Sequence, residues 1–437
     1  MKMAKAAGNL IAWVLMMLLQ GMAVTSLAAS TTIVFANRGG PVREDLVKYW
    51  IADFERTHPD IQVEWEISPG TSAWQDQIVV RTAAGVAPDV LEIYGAFARD
   101  WAERGMLLDL APYVKRDLSS AQLRDFFPHL YQAGILNYGP NKGLQYGLPS
   151  YGNISLIYYN KAHFDEAGLT YPDQLDQQGE WTWQTFVGTA RKLKRVDSDI
   201  VTRWPLNSGD TTSIDRASAW VYSAGGEVFD PQDPTCFLLD RPEAIEGLAF
   251  LQDLVWTYGV HVPYTLSELG TQEAFTSGRV SMRLEGTSRI TRFAEEIDGQ
   301  FDFDIALRPV GPVARVHTTS FDAFAISSTS KHPEEAWKMV KYLVTRPGVI
   351  PHMRILGRGP AILSVYNEYL KIHPDKNLVA HMQAAQEARV SPSQLMVEAK
   401  AATTLINNAL RVSVVRNEKS VRSAIEEIAE SVRALYR

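Results

Sequence analysis

The chain has 437 residues, 46% of them apolar and 21% charged, with a net charge of −7. This is the composition of a globular protein large enough for two or three domains; it excludes a disordered or repetitive chain, and the acidic balance excludes a nucleic-acid binder, which needs a basic footprint. The single cysteine, Cys236, excludes an internal disulfide, so packed cores have to supply the stability.

Lys2 and Lys5 precede an apolar run from Leu10 to Leu19, and small residues follow at Ser26, Ala28 and Ala29. That is the layout of a secretory signal peptide over residues 1–28, and its apolar stretch is short of the roughly 20 residues a membrane span requires. No cysteine lies near the cut, so the expected product is a soluble periplasmic chain beginning near Ala29, without a lipid anchor.

Thr31 to Ala36 reads as an apolar strand and Asn37-Arg-Gly-Gly-Pro41 as a turn. A helix follows over 43–58, with Val47, Trp50, Ile51 and Phe54 on one face. Ile61 to Ile67 alternates as a strand with one covered face. Strand, helix, strand within 40 residues is a βαβ unit, which predicts an α/β fold with a parallel sheet. The pattern continues with a helix over 75–84, a strand over 89–93 and a short helix from Ala98. Ligands of open α/β sheets bind beyond the carboxyl ends of the strands, and Arg38-Gly39 and Tyr94-Gly95 stand at two such ends.

A second unit contains a strand over 154–159, helices over 182–194, 218–222 and 243–257, and strands ending at Glu285 and Pro309. A third segment holds a strand over 324–327, a helix over 333–344 and a final helix striped by Val421, Ala424, Ile425, Ile428 and Val432. These late pieces are too small for a good core of their own and are expected to complete the two earlier units. The expected lobes are 29–146 with 314–356 and 147–313 with 357–437.

Four stretches, in order, carry a family resemblance: Phe54 to Val63; Ala84-Gly-Val-Ala-Pro-Asp-Val90 with Gly105-Met-Leu-Leu-Asp-Leu110; Gly147-Leu-Pro149, Leu156-Ile-Tyr-Tyr-Asn-Lys161 and Trp181-Thr-Trp183; and Ala274-Phe275 with Gly278-Arg-Val-Ser-Met282, Phe324-Ala-Ile-Ser327 and Lys331 to Trp337. The chain resembles the extracellular solute-binding proteins of family 1, the sugar-capturing partners of ABC importers, of which maltose-binding protein is the best-known member. The resemblance implies two α/β lobes joined by two or three crossing segments, a hinge, and a ligand cleft between them. It implies capture and delivery to a membrane permease by a monomer, with no cofactor and no catalysis.

A sugar presents apolar C–H faces to aromatic rings and hydroxyls to Asp, Glu, Asn and Arg. Trp74, Tyr94, Tyr151, Trp220 and Phe321 are the aromatic candidates, each in or beside an expected loop or helix start; Trp220→Ala is expected to weaken binding without unfolding the chain. Arg38 and Gly39 follow the first strand. The family often places ligand contacts where Glu285 and Gly286 end a strand, and Glu285 can accept two hydroxyls. Asp322 replaces a glycine common in relatives. Arg358 lies where the family returns to the cleft, with an altered setting around Pro360.

Other chemistries have less support. Tyr158 and Tyr159 form a pair of the kind that binds ferric iron, but within a strand their rings point to opposite faces. No His-Glu-x-x-His, paired cysteines, phosphate loop or Gly-x-Ser-x-Gly elbow occurs. An exported glycoside hydrolase, with two carboxylates across a cleft, is the enzyme rival; a binder of a non-sugar solute such as a polyamine is the other alternative.

Overall fold

A computed structural model describes residues 30–437 apart from Thr71 and Tyr264; the expected signal peptide lies outside the described residues. Ten strands are present: β1 Thr31–Arg38, β2 Ile61–Ser68, β3 Val90–Tyr94, β4 Leu148–Asn160, β5 Arg195–Asp197, β6 Ile200–Ser208, β7 Val280–Gly286, β8 Phe303–Ala306, β9 His317–Ile326 and β10 Ala388–Val390. The spatial order is β2-β1-β3-β9-β4-β7-β6-β5, with β10 on β9 and β8 on β4. The β1–β2 and β1–β3 pairs are parallel, as the βαβ reading requires.

The opening elements follow directly from their sequence. Helix Pro41–Thr57 begins with proline near its N-terminus, where the missing N–H costs nothing, and buries Leu46, Val47, Trp50 and Phe54. Thr182 caps helix Trp183–Leu193 through its side chain, closing a capping box with Thr185.

Two long strands bind the halves together. The first part of β4 pairs antiparallel with β9, from Leu148 opposite Phe324 to Ile154 opposite Thr319. Its second part leaves β9 and pairs with β7 and β8, from Ser155 opposite Gly286 to Asn160 opposite Phe303. β9 makes the return journey and ends against β3. The third crossing is β10 and the residues after it: Ala388 to Val390 run beside His317 to Thr319, then Gln394 clamps Phe321 by its backbone N–H and C=O at 2.7 and 2.8 Å.

Phe35, Trp50, Phe54, Ile93, Trp101, Phe324 and Trp337 share a first core, which continues past the crossings to Tyr158, Phe275, Phe293 and Phe303. Trp181, Phe186, Trp220, Leu248, Ile406 and Ile425 share a second. Ala361, Ile362, Tyr366, Leu378, Ala384 and Val390 pack with the first core, while Met396, Ala399 and Ala402 pack with the second. The segment 361–390 also reaches across: Ser364 bonds Asp125, whereas His373 meets Thr291 and Asn377 donates to Asp304.

Candidate functional site

The strand ends of the first core converge on Arg38. Its Nη2 donates to Glu92 Oε1 at 2.8 Å, Tyr151 Oη at 3.0 Å and Asp322 Oδ1 at 2.7 Å, while its guanidinium covers the Tyr94 ring at 3.8 Å. Arg43, in the first turns of helix Pro41–Thr57, adds a 2.7 Å bond to Glu92. The topology explains the meeting. Arg38 ends β1, Glu92 and Tyr94 lie on the adjacent β3, and Asp322 pairs with both Tyr94 and Tyr151 across β9. Glu92 is fully buried. Burial alone would raise its carboxyl, but Arg38 and then Arg43 outweigh it and hold the group ionised far below the usual carboxylate range. Arg358 lies on the other side of Tyr151, its guanidinium 4.4 Å from the ring centroid.

β7 carries a matching set on the second core. Glu285 accepts from Arg283 Nη2 at 2.8 Å, Gln272 Nε2 at 3.1 Å and the Gly286 N–H at 3.0 Å, and lies 3.4 Å from Arg216. Burial pushes its carboxyl up, but Arg216 and Arg283 prevail and bring it down to about 2. Gly286 sits against Asn153, and a Cβ there would collide with the asparagine side chain. Asp210, just beyond β6, is the shared acceptor of Arg308 at 2.7 Å and the Trp220 indole N–H at 2.8 Å; its Oδ1 is buried and has no partner.

A polar stripe connects the two sets. Tyr151, Asn153 and Ser155 fall on one face of β4, and their β9 neighbours Asp322 and Ser320 share it. Ser320 donates to Asp322, the Ser288 N–H donates to Asn153, and Arg308 donates to Ser155 at 3.2 Å. The stripe follows the crossing from one core to the other, lined by Arg, Asp, Glu, Asn and Ser groups suited to a hydroxylated guest.

Of the residues expected in the site, Arg38, Tyr94, Tyr151, Asp322 and Arg358 are brought into one contact network, with Gly39 at its edge; Glu285 and Gly286 lie in the second set. Trp74 and Phe321 are elsewhere, whereas Trp220 touches the second set, its indole N–H on Asp210 and its ring 4.4 Å from the Arg308 guanidinium. Trp220 is 1% exposed, edge-on to Trp183 and packed among Phe186 and Phe250. Its helix begins at Ile214 rather than 218, and the indole packs in the second core. Trp74 is buried beside Trp101, and Phe321, one position from Asp322, points to the opposite face against Tyr146. Trp74 and Phe321 both pack within the first core. Sequence reasoning missed Arg43, Glu92, Asp210, Arg216, Arg283 and Arg308. Glu92 had a signal, a lone charge inside the apolar strand Val90-Leu-Glu-Ile-Tyr94; the others had none.

Tyr158 and Tyr159 do face opposite ways, the first against Phe293 and the second against Phe164, with hydroxyls bonded to Gly286 O and Asp173. Among the described residues no group of three or more His, Cys, Asp or Glu side chains is placed to hold a metal. A hollow of about 580 Å³ lies at the far end of the first core, near His58, where β2 begins, and Trp337. Its charged groups already pair, Arg116 with Asp117 and Glu334, Arg56 with Asp53, and it is remote from the strand ends where the polar groups converge.

Residues 40–350 match the family described as bacterial extracellular solute-binding protein. The chain belongs to that family. Among relatives, this solute-binding protein is 27% identical over 353 residues to a maltotriose-binding protein of Pyrococcus abyssi, covering 76% of this chain and 67% of that one. It is 28% identical over 356 residues to a multiple sugar-binding protein of Streptococcus mutans, 76% of each chain. Its fold superposes on an ABC substrate-binding protein of Listeria monocytogenes solved with cycloalternan: TM-score 0.76, 21% identity, 93% of this chain and 99% of that one. The architecture is the two-lobed periplasmic-binding-protein fold.

Proposed function

We propose that this solute-binding protein captures a carbohydrate between its lobes and hands it, unchanged, to an ABC importer permease. The observation that carries the reading is the polar stripe along β4 and β9, which joins two arginine–carboxylate sets at the strand ends of the two lobes. The sugar-binding relatives support the ligand class. Glu92 and Glu285 are held ionised by arginines, so neither is the protonated carboxyl that a glycosidase needs. A polyamine would have to displace those arginines. The ligand-binding residues of this reading are Arg38, Tyr94, Tyr151, Asn153, Asp210, Arg216, Glu285, Asp322 and Arg358. The protein acts as a monomer, exported through residues 1–28 into the periplasm, and its lobes bend about the crossings.

A thermal-shift screen of sugars, oligosaccharides, polyols, amino acids and polyamines tests this. A true ligand at a hundredfold excess over its Kd adds about 2.7 kcal/mol by mass action. Stabilisation by polyamines alone, or release of a cleaved sugar, defeats the reading. N-terminal sequencing of the periplasmic protein checks the cut near Ala29.

A further inference from the structure

The proposed cleft contains more positive than negative charge. In the first lobe Arg38, Arg43 and Arg358 surround two carboxylates, Glu92 and Asp322. In the second, Arg216 and Arg283 share one, Glu285; Arg308 and Asp210 balance each other. The first lobe therefore has one guanidinium in excess, in a chain whose net charge is −7, while in the second the buried Asp215 beside Arg216 evens the count. The excess is local and is not a by-product of a basic protein.

Arg358 is where that excess is least compensated. Among the described residues it has no hydrogen bond or ion pair; its Nη1 is buried without a partner, and its one described contact is the face of Tyr151. Burial lowers its pKa, Arg43 and Arg38 lower it further, and Tyr151 and Asp322 only partly oppose them. A largely desolvated guanidinium whose neighbouring carboxylate, Asp322, is already bonded to Arg38 is costly, and the natural remedy is an anion. The fork of an arginine matches a carboxylate or phosphate in two parallel bonds. Arg216, 43% exposed and 3.4 Å from Glu285, leaves donors free on the facing lobe.

We propose that the ligand is an acidic carbohydrate, a sugar bearing a carboxylate or a phosphate, whose anionic group docks on Arg358. This inference rests on the sugar-binding reading and deepens it. The hydroxyls would use Asp322, Asn153 and Glu285, while the anion supplies the missing charge.

The test is titration calorimetry on the full mature protein with matched pairs: glucose against glucuronate, galactose against galacturonate, glucose against glucose 1-phosphate, and a neutral against an acidic trisaccharide. The expected result is at least tenfold tighter binding of the acidic member, weakening with salt. Whether the uronate or the phosphate arm responds identifies the anion. In Arg358→Gln the two members of the favoured pair bind within threefold of each other, and the unliganded protein melts no lower. Arg358→Lys, which retains the charge and loses the fork, keeps the preference at reduced affinity. Equal binding of neutral and acidic partners by the wild type overturns this inference and leaves the sugar reading standing. A preference that survives Arg358→Gln also overturns it. Failure of every sugar, neutral and acidic, brings down both.

Discussion

Replacing Glu285 by Gln removes a carboxylate that three side chains and a backbone N–H hold in place, and the structure sets the size of the effect. Its carboxyl falls from an ordinary 4.5 to about 2 in the folded protein, and its side chain is only 7% exposed, so solvent screens the interaction little. At 1.36 kcal/mol per pKa unit, the ionised form contributes about 3 kcal/mol to stability at neutral pH. Because the folded value lies below the unfolded one, this contribution is complete above about pH 4.5. It is lost as the pH falls through 2, with about 1 kcal/mol remaining at pH 3. Urea titrations of wild type and Glu285→Gln at pH 7 and pH 3, followed by tryptophan fluorescence, measure the difference. The expected gap is about 3 kcal/mol at pH 7, closing to about 1 at pH 3. A gap that is the same at both pH values, or under 1 kcal/mol at pH 7, refutes the argument that Arg216 and Arg283 hold the carboxylate in a desolvated site.

Three other substitutions probe the remaining framework. Trp220→Ala opens a cavity in the second core and removes an indole donor from Asp210, so urea denaturation gives a loss of about 3–5 kcal/mol; unchanged stability with abolished binding would return the indole to the cleft. Tyr151→Phe deletes the hydroxyl that accepts from Arg38 but keeps the ring beneath Arg358, costing about 1 kcal/mol in the same assay; a loss above 3 kcal/mol is the contrary result. Burial presses the His317 imidazole down to about 3. The unfolded chain therefore takes up a proton that the native one refuses, and stability falls with pH from about 6.5 toward 3. In His317→Gln that slope is shallower by up to about 1.4 kcal/mol per pH unit, and an unchanged slope between pH 6 and pH 4 counts against it.

The opening of the chain was legible because its periodicity is strict. Leu46, Val47, Trp50 and Phe54 trace one helical face, and β1 and β2 are bounded by turn residues. β4 and β9 were only half legible. The expected strand begins at Ile154, yet β4 starts at Leu148, with Pro149 beside a register shift and Gly152 inside the strand. Both strands are buried on both faces, so no alternation marks them. His317-Thr-Thr-Ser320 looks like a polar loop and is a strand because its side chains find partners at the crossing. Arg38, Glu285, Asp322 and Arg358 could be singled out because they stand near strand ends or in matched family segments. Their counter-charges could not: Arg43 reaches Glu92, Arg216 reaches Glu285 and Arg308 reaches Asp210 only through tertiary packing. Trp220, read beside an expected helix start, lies inside helix Ile214–Ser223, where its ring packs in the second core and its indole N–H reaches Asp210.

The crossing strands and the proposed site are the same residues, and that constrains how the lobes can move. The four steps along β4 from Tyr151 to Ser155 span about 13 Å at roughly 3.3 Å each. Within that length the chain leaves the Arg38–Glu92–Asp322 set and reaches Arg308 and Asp210. Each set is braced internally by ion pairs of 2.7 to 2.8 Å, so bending at Asn153 changes the distance between sets while leaving each intact. A solute that touches one set gains nothing from closure. One that touches both stabilises only the bent form, and that differential contact is what shifts the population. In the proposed reading the polar stripe has two roles, as floor of the cleft and as the segment about which the cleft shuts. Substitutions at Asn153, wedged between Gly286 and the Ser288 N–H, should accordingly change affinity and closure together.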